Sequence, residues 1–210
     1  MNWKRREKME LLEKETRRFG YQTSLFTYFA FFKENRSQGL KSHQEAIIGY
    51  LTYCNRLWEC SIWSLDIFVR TGKNVSSEKY EEKFQQTRNN PIVYTDLSSF
   101  DNVQGWPIRV NTSLMKAKKI EPKNFFVQDG NYETAFLDHE AVIPKTRAEF
   151  IQINNQLFPE KKQLEIYCWD TTFTNYYDEG RRWWGAYLWS IYDMKRNRFT
   201  VVSINLVNQA

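Results

Sequence analysis

Polar and aromatic side chains are most concentrated between residues 170 and 184, where carboxylates, guanidinium groups and indole rings lie close together. Neighbouring arginines can bind an anionic group through paired hydrogen bonds, and an indole ring offers a flat face for stacking. The stretch therefore predicts a ligand-binding loop at the rim of a sheet. Its candidate binding residues are Asp170, Asp178, Glu179, Arg181, Arg182, Trp183 and Trp184. The simpler interpretation, which we favour, is a connection between strands with internal Asp–Arg pairs and tryptophans that belong to the core.

A weaker candidate is Asp138-His139-Glu140, in which carboxylates flank an imidazole able to act as a base or metal ligand. Adjacent residues on a strand point to opposite faces, and the only other histidine is His43. The sequence contains no His/Cys spacing typical of a zinc site, no Gly-x-Ser-x-Gly motif and no glycine-rich phosphate loop. We therefore predict no metal, no cofactor and no catalytic residue.

Charge and cysteine usage indicate a compartment and a class of partner. Residues 1–41 hold 10 Lys/Arg against 5 Asp/Glu, whereas residues 42–210 hold 20 of each. A neutral body makes nucleic acid an unlikely main partner, and the interspersed glutamates weaken the N-terminal basic segment as a binding site. The three cysteines, Cys54, Cys60 and Cys168, form no Cys-x-x-Cys pair, which is typical of a reducing compartment. No signal-peptide pattern or long apolar run occurs, so we expect a soluble, cytoplasmic protein without membrane insertion.

The element expected to organise the fold is a long helix from Ser42 to Gly72. Ser42 and Glu45 have the spacing of a capping box, and Gly72 suits a left-handed residue at the C-terminal end. At the helical period, the apolar residues form one continuous stripe that we expect to be buried. The stripe comprises Ile47, Leu51, Cys54, Trp58, Ile62, Leu65 and Val69.

Shorter helices are predicted on both sides of this one. A charged helix is expected over 2–18, and an aromatic helix over 25–33 that would be buried nearly all round and form an antiparallel pair with the long helix. Later helices are expected after Ser76, with Tyr80 and Phe84 as anchors, and from 144 to Pro159, with Phe150, Ile153 and Leu157 facing the core.

The sequence pattern typical of β-strands is clearest in the C-terminal third of the chain. Residues 91–142 are irregular, with extended candidates at 92–95, 108–111 and 125–127 and a short helix at 113–119. Runs at 164–170, 183–192 and 199–207 alternate in the manner of strands, and we expect an antiparallel meander whose middle strand, bulky on both faces, is central. We expect the helices to cover one face of this strand and residues 91–142, or a ligand, to cover the other. The fold class predicted for residues 1–210, taken as one domain, is α+β, with an N-terminal helical layer on a mostly antiparallel sheet.

These features lead to three functional hypotheses. The first is a non-catalytic interaction protein of bacterial or phage type, such as an immunity, antitoxin or defence-related factor, whose partner is another protein or a second copy of itself. The abundance of Trp and Tyr, which anchor many interfaces, favours it. The second is a small-ligand or enzymatic pocket on the C-terminal sheet. The third is nucleic-acid binding through residues 1–41.

Overall fold

The computed structural model describes residues 9–20, 27–34, 37–87, 92–103, 105–137, 146–182 and 185–206. The fold is α+β, as predicted. Its helices are α1 (Glu13–Gly20), α2 (Leu40–Thr71), α3 (Ser77–Gln86), α4 (Pro122–Phe125), α5 (Asn131–Leu137), α6 (Arg147–Leu157) and α7 (Asp178–Arg182). Its strands are β1 (Glu10–Leu11), β2 (Thr27–Lys33), β3 (Val93–Tyr94), β4 (Arg109–Val110), β5 (Ala117–Ile120), β6 (Leu164–Trp169), β7 (Gly185–Asp193) and β8 (Arg198–Leu206).

Six strands form an antiparallel sheet in the order β1-β2-β8-β7-β6-β5. The C-terminal meander is confirmed, and β7 lies between β6 and β8. In its register Trp189 is opposite both Cys168 and Val202. A separate parallel pair joins β3 to β4.

Helices cover both faces of this sheet. One face presents Trp189 and Ile191 to a core completed by α1, α4, α5 and α6. The opposite face presents Leu188 and Tyr192 to a second core that includes the first half of α2. The expected division, with the helices on one face and residues 91–142 or a ligand on the other, is therefore wrong. The described residues of this segment are instead shared between the two faces, with Ile92, Ile108 and Val110 beside α2 and the aromatic residues of α4 and α5 on the other side.

The predicted aromatic helix over 25–33 is a strand. β2 pairs with β8 along its length, from Thr27 opposite Ile204 to Lys33 opposite Arg198. Its phenylalanines are buried on both faces, as expected for this segment, with Phe29 in one core and Phe32 in the other, whereas Tyr28 is 41% exposed. A segment that is apolar on both faces has no periodicity that separates helix from strand. Consequently the antiparallel helical pair with α2 does not form.

The charged N-terminal helix is shorter than predicted. Residues 10–11 form β1, which pairs with the end of β2, and α1 begins only at Glu13. Residues 1–8 lie outside the described part of the chain.

α2 begins at Leu40 rather than through the predicted capping box. Its N-cap is Gly39, which has a positive φ of 61° and makes no side-chain cap. The Ser42 hydroxyl instead accepts a hydrogen bond from the backbone N–H of Gln38 at 2.9 Å. The predicted C-terminal end is confirmed: Gly72 has φ 66° and donates its N–H to the Phe68 carbonyl.

The apolar stripe of α2 is buried over only part of its length. Ile47 and Leu51 are fully buried against the sheet, and Cys54 is also buried. Past Cys60, however, Ile62, Leu65 and Val69 are 46%, 55% and 74% exposed. The prediction that the whole stripe is buried is therefore wrong for the second half, because the helix extends beyond the sheet that covers its first half.

Two further helices begin as predicted. Ser76 caps α3, and Phe84, near the C-terminal end of the helix, is fully buried. Thr146 and Glu149 form a capping box at the start of α6, whose Phe150 and Leu157 are buried. No helix among the described residues is both long and apolar enough to cross a membrane.

Two predictions in the irregular middle segment are wrong. Phe125 ends α4 rather than starting a strand. The expected helix over 113–119 is a single 3-10 turn at Thr112–Leu114 followed by β5.

Candidate functional site

A cleft of about 780 Å³ opens between α2 and α3 on one side and α1 and β2 on the other. We call it the aromatic cleft, because aromatic residues from α2, α3, β2 and two connecting segments form much of its lining. These residues are Tyr28, Phe29, Tyr50, Tyr53, Trp58, Tyr80, Trp106 and Tyr176. The remaining lining residues are Thr16, Arg17, Cys54, Leu57, Ser61, Val75, Ser77 and Glu81.

Two buried asparagines fix one wall of the cleft. Asn55 on α2 accepts a hydrogen bond from the backbone N–H of Ile108 at 3.0 Å. Asn175 accepts from the N–H of Arg109 at 2.7 Å and donates to the carbonyl of Gly105 at 2.7 Å. These three bonds replace the backbone partners that the irregular segment lacks, and they hold the loop against α2.

The fixed loop carries Trp106 into the cleft. Its indole stacks on that of Trp58, with ring centroids 4.9 Å apart and planes 12° from parallel. Tyr176 meets Trp106 edge to face at 6.1 Å. The wall is therefore a set of rings held in place by neighbours, an arrangement suited to a flat apolar ligand.

Hydroxyl and thiol groups line the inner end of the cleft. The hydroxyls of Tyr50 and Tyr176 are 3.1 Å apart and hydrogen-bonded. Burial raises the pKa of both phenols well above 10 and raises the pKa of the neighbouring Cys54 thiol to about 11. All three groups are consequently uncharged at neutral pH and can act as neutral hydrogen-bonding partners.

The charged lining residues belong to an ion-pair network at the α1–α3 side. The Arg17 guanidinium donates to Glu81 Oε2 at 2.5 Å and to Glu13 Oε1 at 2.9 Å. It also lies over the Phe84 ring, 4.3 Å from the centroid, and the Arg56 guanidinium lies over the same ring at 3.9 Å. Because Arg17 is matched by carboxylates, this end of the cleft offers no excess charge to a ligand.

The predicted loop over 170–184 is held largely by its own side chains. Asp178 is buried and contacts both arginines, with Oδ2 2.7 Å from Arg182 Nη2 and Oδ1 3.5 Å from Arg181 Nη2. Arg181 also donates to the carbonyl of Thr171 at 2.6 Å. Burial, opposed by the nearby Asp178, lowers the pKa of Arg181. The structure thus brings these three predicted residues together, in the internal pairing of the simpler interpretation.

The other predicted residues of this loop have different positions. Asp170 accepts from the N–H of Thr172 at 2.7 Å and so stabilises the turn. Glu179 is exposed, and Trp183 and Trp184 lie outside the described residues. The loop contributes Tyr176 to the aromatic cleft, although Tyr176 was not among the predicted binding residues.

The remaining sequence candidates add no site. Asp138, His139 and Glu140 lie outside the described residues, as do residues 1–8, 21–26 and 35–36 of the basic N-terminal segment. Within the part of the chain that the structure describes, no three His, Cys, Asp or Glu side chains are placed to hold a metal ion. The three cysteines are free thiols.

A buried Ser–His–Glu arrangement lies on the α2 side of the sheet. Ser190 Oγ lies 2.7 Å from His43 Nδ1, and His43 Nε2 lies 3.4 Å from Glu165 Oε2. The Trp169 indole also donates to Ser190 Oγ at 2.8 Å, so the serine oxygen links the indole to the imidazole. Burial lowers the pKa of His43 to about 4, against the opposing effect of Glu165. Ser190 and His43 have no exposed surface, so the arrangement fastens α2 to β6 and β7 and is closed to a substrate.

Sequence reasoning missed the aromatic cleft because its residues are far apart in the chain. Trp58 was assigned to the core stripe and Tyr80 to a helix anchor, and Trp106 had no predicted role. The one signal available was the high aromatic content, which does not say which rings converge. Asn55 and Asn175 could not have been found, because their role is to bond a distant backbone segment.

Comparison with known proteins supplies no further functional information. No family model matches the chain, and no curated protein or solved structure matches it significantly.

Proposed function

We propose that this protein is a non-catalytic binding protein whose aromatic cleft holds a small organic ligand. The observation that carries the proposal is the cleft itself, with about 780 Å³ of space beside eight aromatic residues from separate segments. Small-molecule sites are typically concave, mostly apolar and roughly 300–1,000 Å³ in volume, with a few polar groups that orient the ligand. The hydroxyls of Tyr50 and Tyr176 are polar groups of that kind.

A binding role fits the lining better than a catalytic one. General bases and nucleophiles need a pKa near the working pH and an unengaged functional group. The pKa of Cys54 is raised by burial to about 11, so its thiol is protonated at neutral pH. Arg17 and Glu81 are engaged with each other.

A screen of aromatic fragments by ligand-observed NMR tests this proposal. Ser61 lines the cleft and is exposed, so Ser61→Trp narrows the opening without disturbing the core. Lys79→Trp adds the same ring at an exposed position of α3 that does not line the cleft, and it is the matched control. We expect to find fragments that bind both the wild type and Lys79→Trp at millimolar concentration. The same fragments should not bind Ser61→Trp. Fragments that bind Ser61→Trp as well as the wild type would contradict the proposal.

The exposed half of the α2 stripe supports a second candidate, the interaction-protein hypothesis with a second copy of the chain as partner. Ile62, Leu65 and Val69 have the alternating spacing of three and four residues found in the seam of paired helices. Asp66 and Arg70 beside them form an ion pair at 2.9 Å, so the face has no net charge to repel an identical copy.

Sedimentation equilibrium distinguishes this candidate. We expect concentration-dependent dimers of the wild type that are lost in Leu65→Glu. Ile151→Glu, which places the same charge on an exposed isoleucine of α6, should leave the dimers intact. A wild type that stays monomeric at high concentration would overturn the homodimer.

A further inference from the structure

The ring surfaces of the aromatic cleft limit the shape of what it can hold. Trp58 and Trp106 present a rigid pair of stacked indoles, and Tyr176 packs edge-on against Trp106. Because Asn55 and Asn175 fasten the loop that carries Trp106, this surface is formed before any ligand arrives. A preformed flat surface favours flat ligands, since no side chain has to be ordered on binding.

The electrostatics of the same cleft limit the charge of the ligand. Arg17 and Glu81 are the ionised lining residues, and they are 2.5 Å apart. Arg17 is also paired with Glu13 at 2.9 Å. A carboxylate or ammonium group entering the cleft would lose hydration without gaining an unpaired partner of opposite charge.

The inner end of the cleft supplies polar partners that carry no charge. The Tyr50 and Tyr176 hydroxyls are hydrogen-bonded to each other, and burial keeps the pKa of each phenol well above 10. A phenol both donates and accepts, so the pair can bond to a neutral group that does the same, such as an amide.

We propose that the aromatic cleft takes an uncharged, planar aromatic compound whose neutral hydrogen-bonding group meets the hydroxyls of Tyr50 and Tyr176. This inference rests on the proposed small-ligand function and adds the ligand class.

Three probes of the same ring system and different charge test the inference: 2-naphthamide, 2-naphthoate and 2-naphthylmethylamine. Their dissociation constants are measured with the full chain by chemical-shift titration. We expect the amide to bind at least ten times more tightly than either ion, because the cleft has no unpaired charge to replace the hydration of the carboxylate or ammonium. Trp106→Ala should weaken the binding of 2-naphthamide at least tenfold, because it removes one of the two stacked indole rings.

A matched pair of tyrosine variants tests the hydrogen bond. Tyr176→Phe keeps the ring and removes the hydroxyl that bonds to Tyr50, and it should weaken the binding of 2-naphthamide about fivefold. Tyr177→Phe is the control, because it also removes a buried hydroxyl, which bonds to Ser203 at 2.8 Å. Tyr177 does not line the cleft, so this variant should bind 2-naphthamide as tightly as the wild type does. Equal weakening in both variants would overturn the contact with Tyr176.

The outcomes separate the inference from the function beneath it. If the naphthoate or the naphthylmethylamine binds best, and Trp106→Ala abolishes that binding, the cleft is a ligand site but the ligand class is wrong. If none of the three probes binds at 1 mM, while the fragment screen gives ligands that Ser61→Trp excludes, the ligand class again fails alone. If neither experiment gives a cleft-dependent ligand, the proposed function fails as well.

Discussion

The two halves of α2 carry one apolar stripe in two different surroundings. In the first half, Ile47 and Leu51 have no exposed surface and contact the sheet. In the second half, Leu65 and Val69 face solvent on the same side of the helix. Between them, Trp58 and Leu57 border the aromatic cleft. Residue type and spacing therefore set which side of a helix is apolar, whereas the extent of the sheet beneath it decides how much of that side is buried.

The largest expected effect separates two leucines of this stripe. Leu51→Ala should lower the free energy of unfolding by about 2–5 kcal/mol, because it leaves a cavity at a fully buried position. Leu65→Ala should change it by about 0.5 kcal/mol or less, because Leu65 is already solvated. Urea unfolding of dilute protein, followed by circular dichroism, measures both. Similar losses in the two variants would mean that the second half of α2 is covered in solution.

The next effect concerns His43, which ties the first half of α2 to the sheet. Its pKa is about 4 in the folded protein because of burial, compared with about 6.5 for an exposed histidine. The unfolded chain therefore binds the proton more readily, and stability falls as the pH drops from 6.5 to 4, by on the order of 3 kcal/mol. Urea unfolding at a series of pH values measures this slope.

The groups that face His43 define the control for this pH effect. They are Ser190, Glu165 and, farther out, Lys119, with Tyr167 and Phe199 packed on the ring. Glu165 has a lowered pKa, opposed by its own burial and caused chiefly by Lys119 and His43, so its stabilising effect is lost at lower pH than that of His43. His43→Gln should remove the fall in stability between pH 6.5 and 4. It should keep the loss of stability at lower pH that comes from Glu165. If stability still falls between pH 6.5 and 4 in His43→Gln, another group causes the pH dependence.

A smaller effect tests how closely the first half of α2 approaches the sheet. Gly49 lies mid-helix, and a Cβ atom there would be 2.7 Å from a ring carbon of Phe32 on β2. Gly49→Ala should therefore destabilise the protein by about 1–3 kcal/mol, although alanine is the better helix former. The smaller side chain in Phe32→Leu relieves the clash. We therefore expect Gly49→Ala/Phe32→Leu to be as stable as Phe32→Leu alone. Persistence of the full loss would contradict this cause.

The sequence predicts those elements whose signals are local. Ser76, Thr146 and Gly72 mark helix ends through bonds to residues three or four positions away, and the C-terminal strands alternate over residues that pair with their neighbours. β2 was misread because Phe29 and Phe32 face two different cores, which removes the alternation that marks a strand. The fold class was therefore predictable, while the role of a segment buried on both sides was not.

The candidate site was less predictable, because distance along the chain hides it. Asn55 bonds to Ile108, and Trp58 stacks on Trp106, in each case across about fifty residues. Neither residue type has a characteristic neighbour that reveals such a partner. The loop over 170–184 had the strongest local signal, yet its carboxylate Asp178 and its arginines bond mainly to one another and to nearby backbone. A high density of functional groups in the sequence therefore does not distinguish a ligand-binding site from a loop whose charged side chains pair with one another.

The smallest expected effect lies at the exposed end of α2. Gly72 has φ 66°, a left-handed conformation that strains any residue with a Cβ, and space around it is open. Gly72→Ala should therefore cost about 1 kcal/mol through backbone strain alone. Gly72→Asn should cost less, because asparagine tolerates this conformation. If hydrogen exchange shows that Gly72→Ala increases opening only at the end of α2, while amides near Leu51 keep their protection, the two halves open separately. Equal loss of protection along the whole helix would show instead that the exposed half is coupled to the buried one.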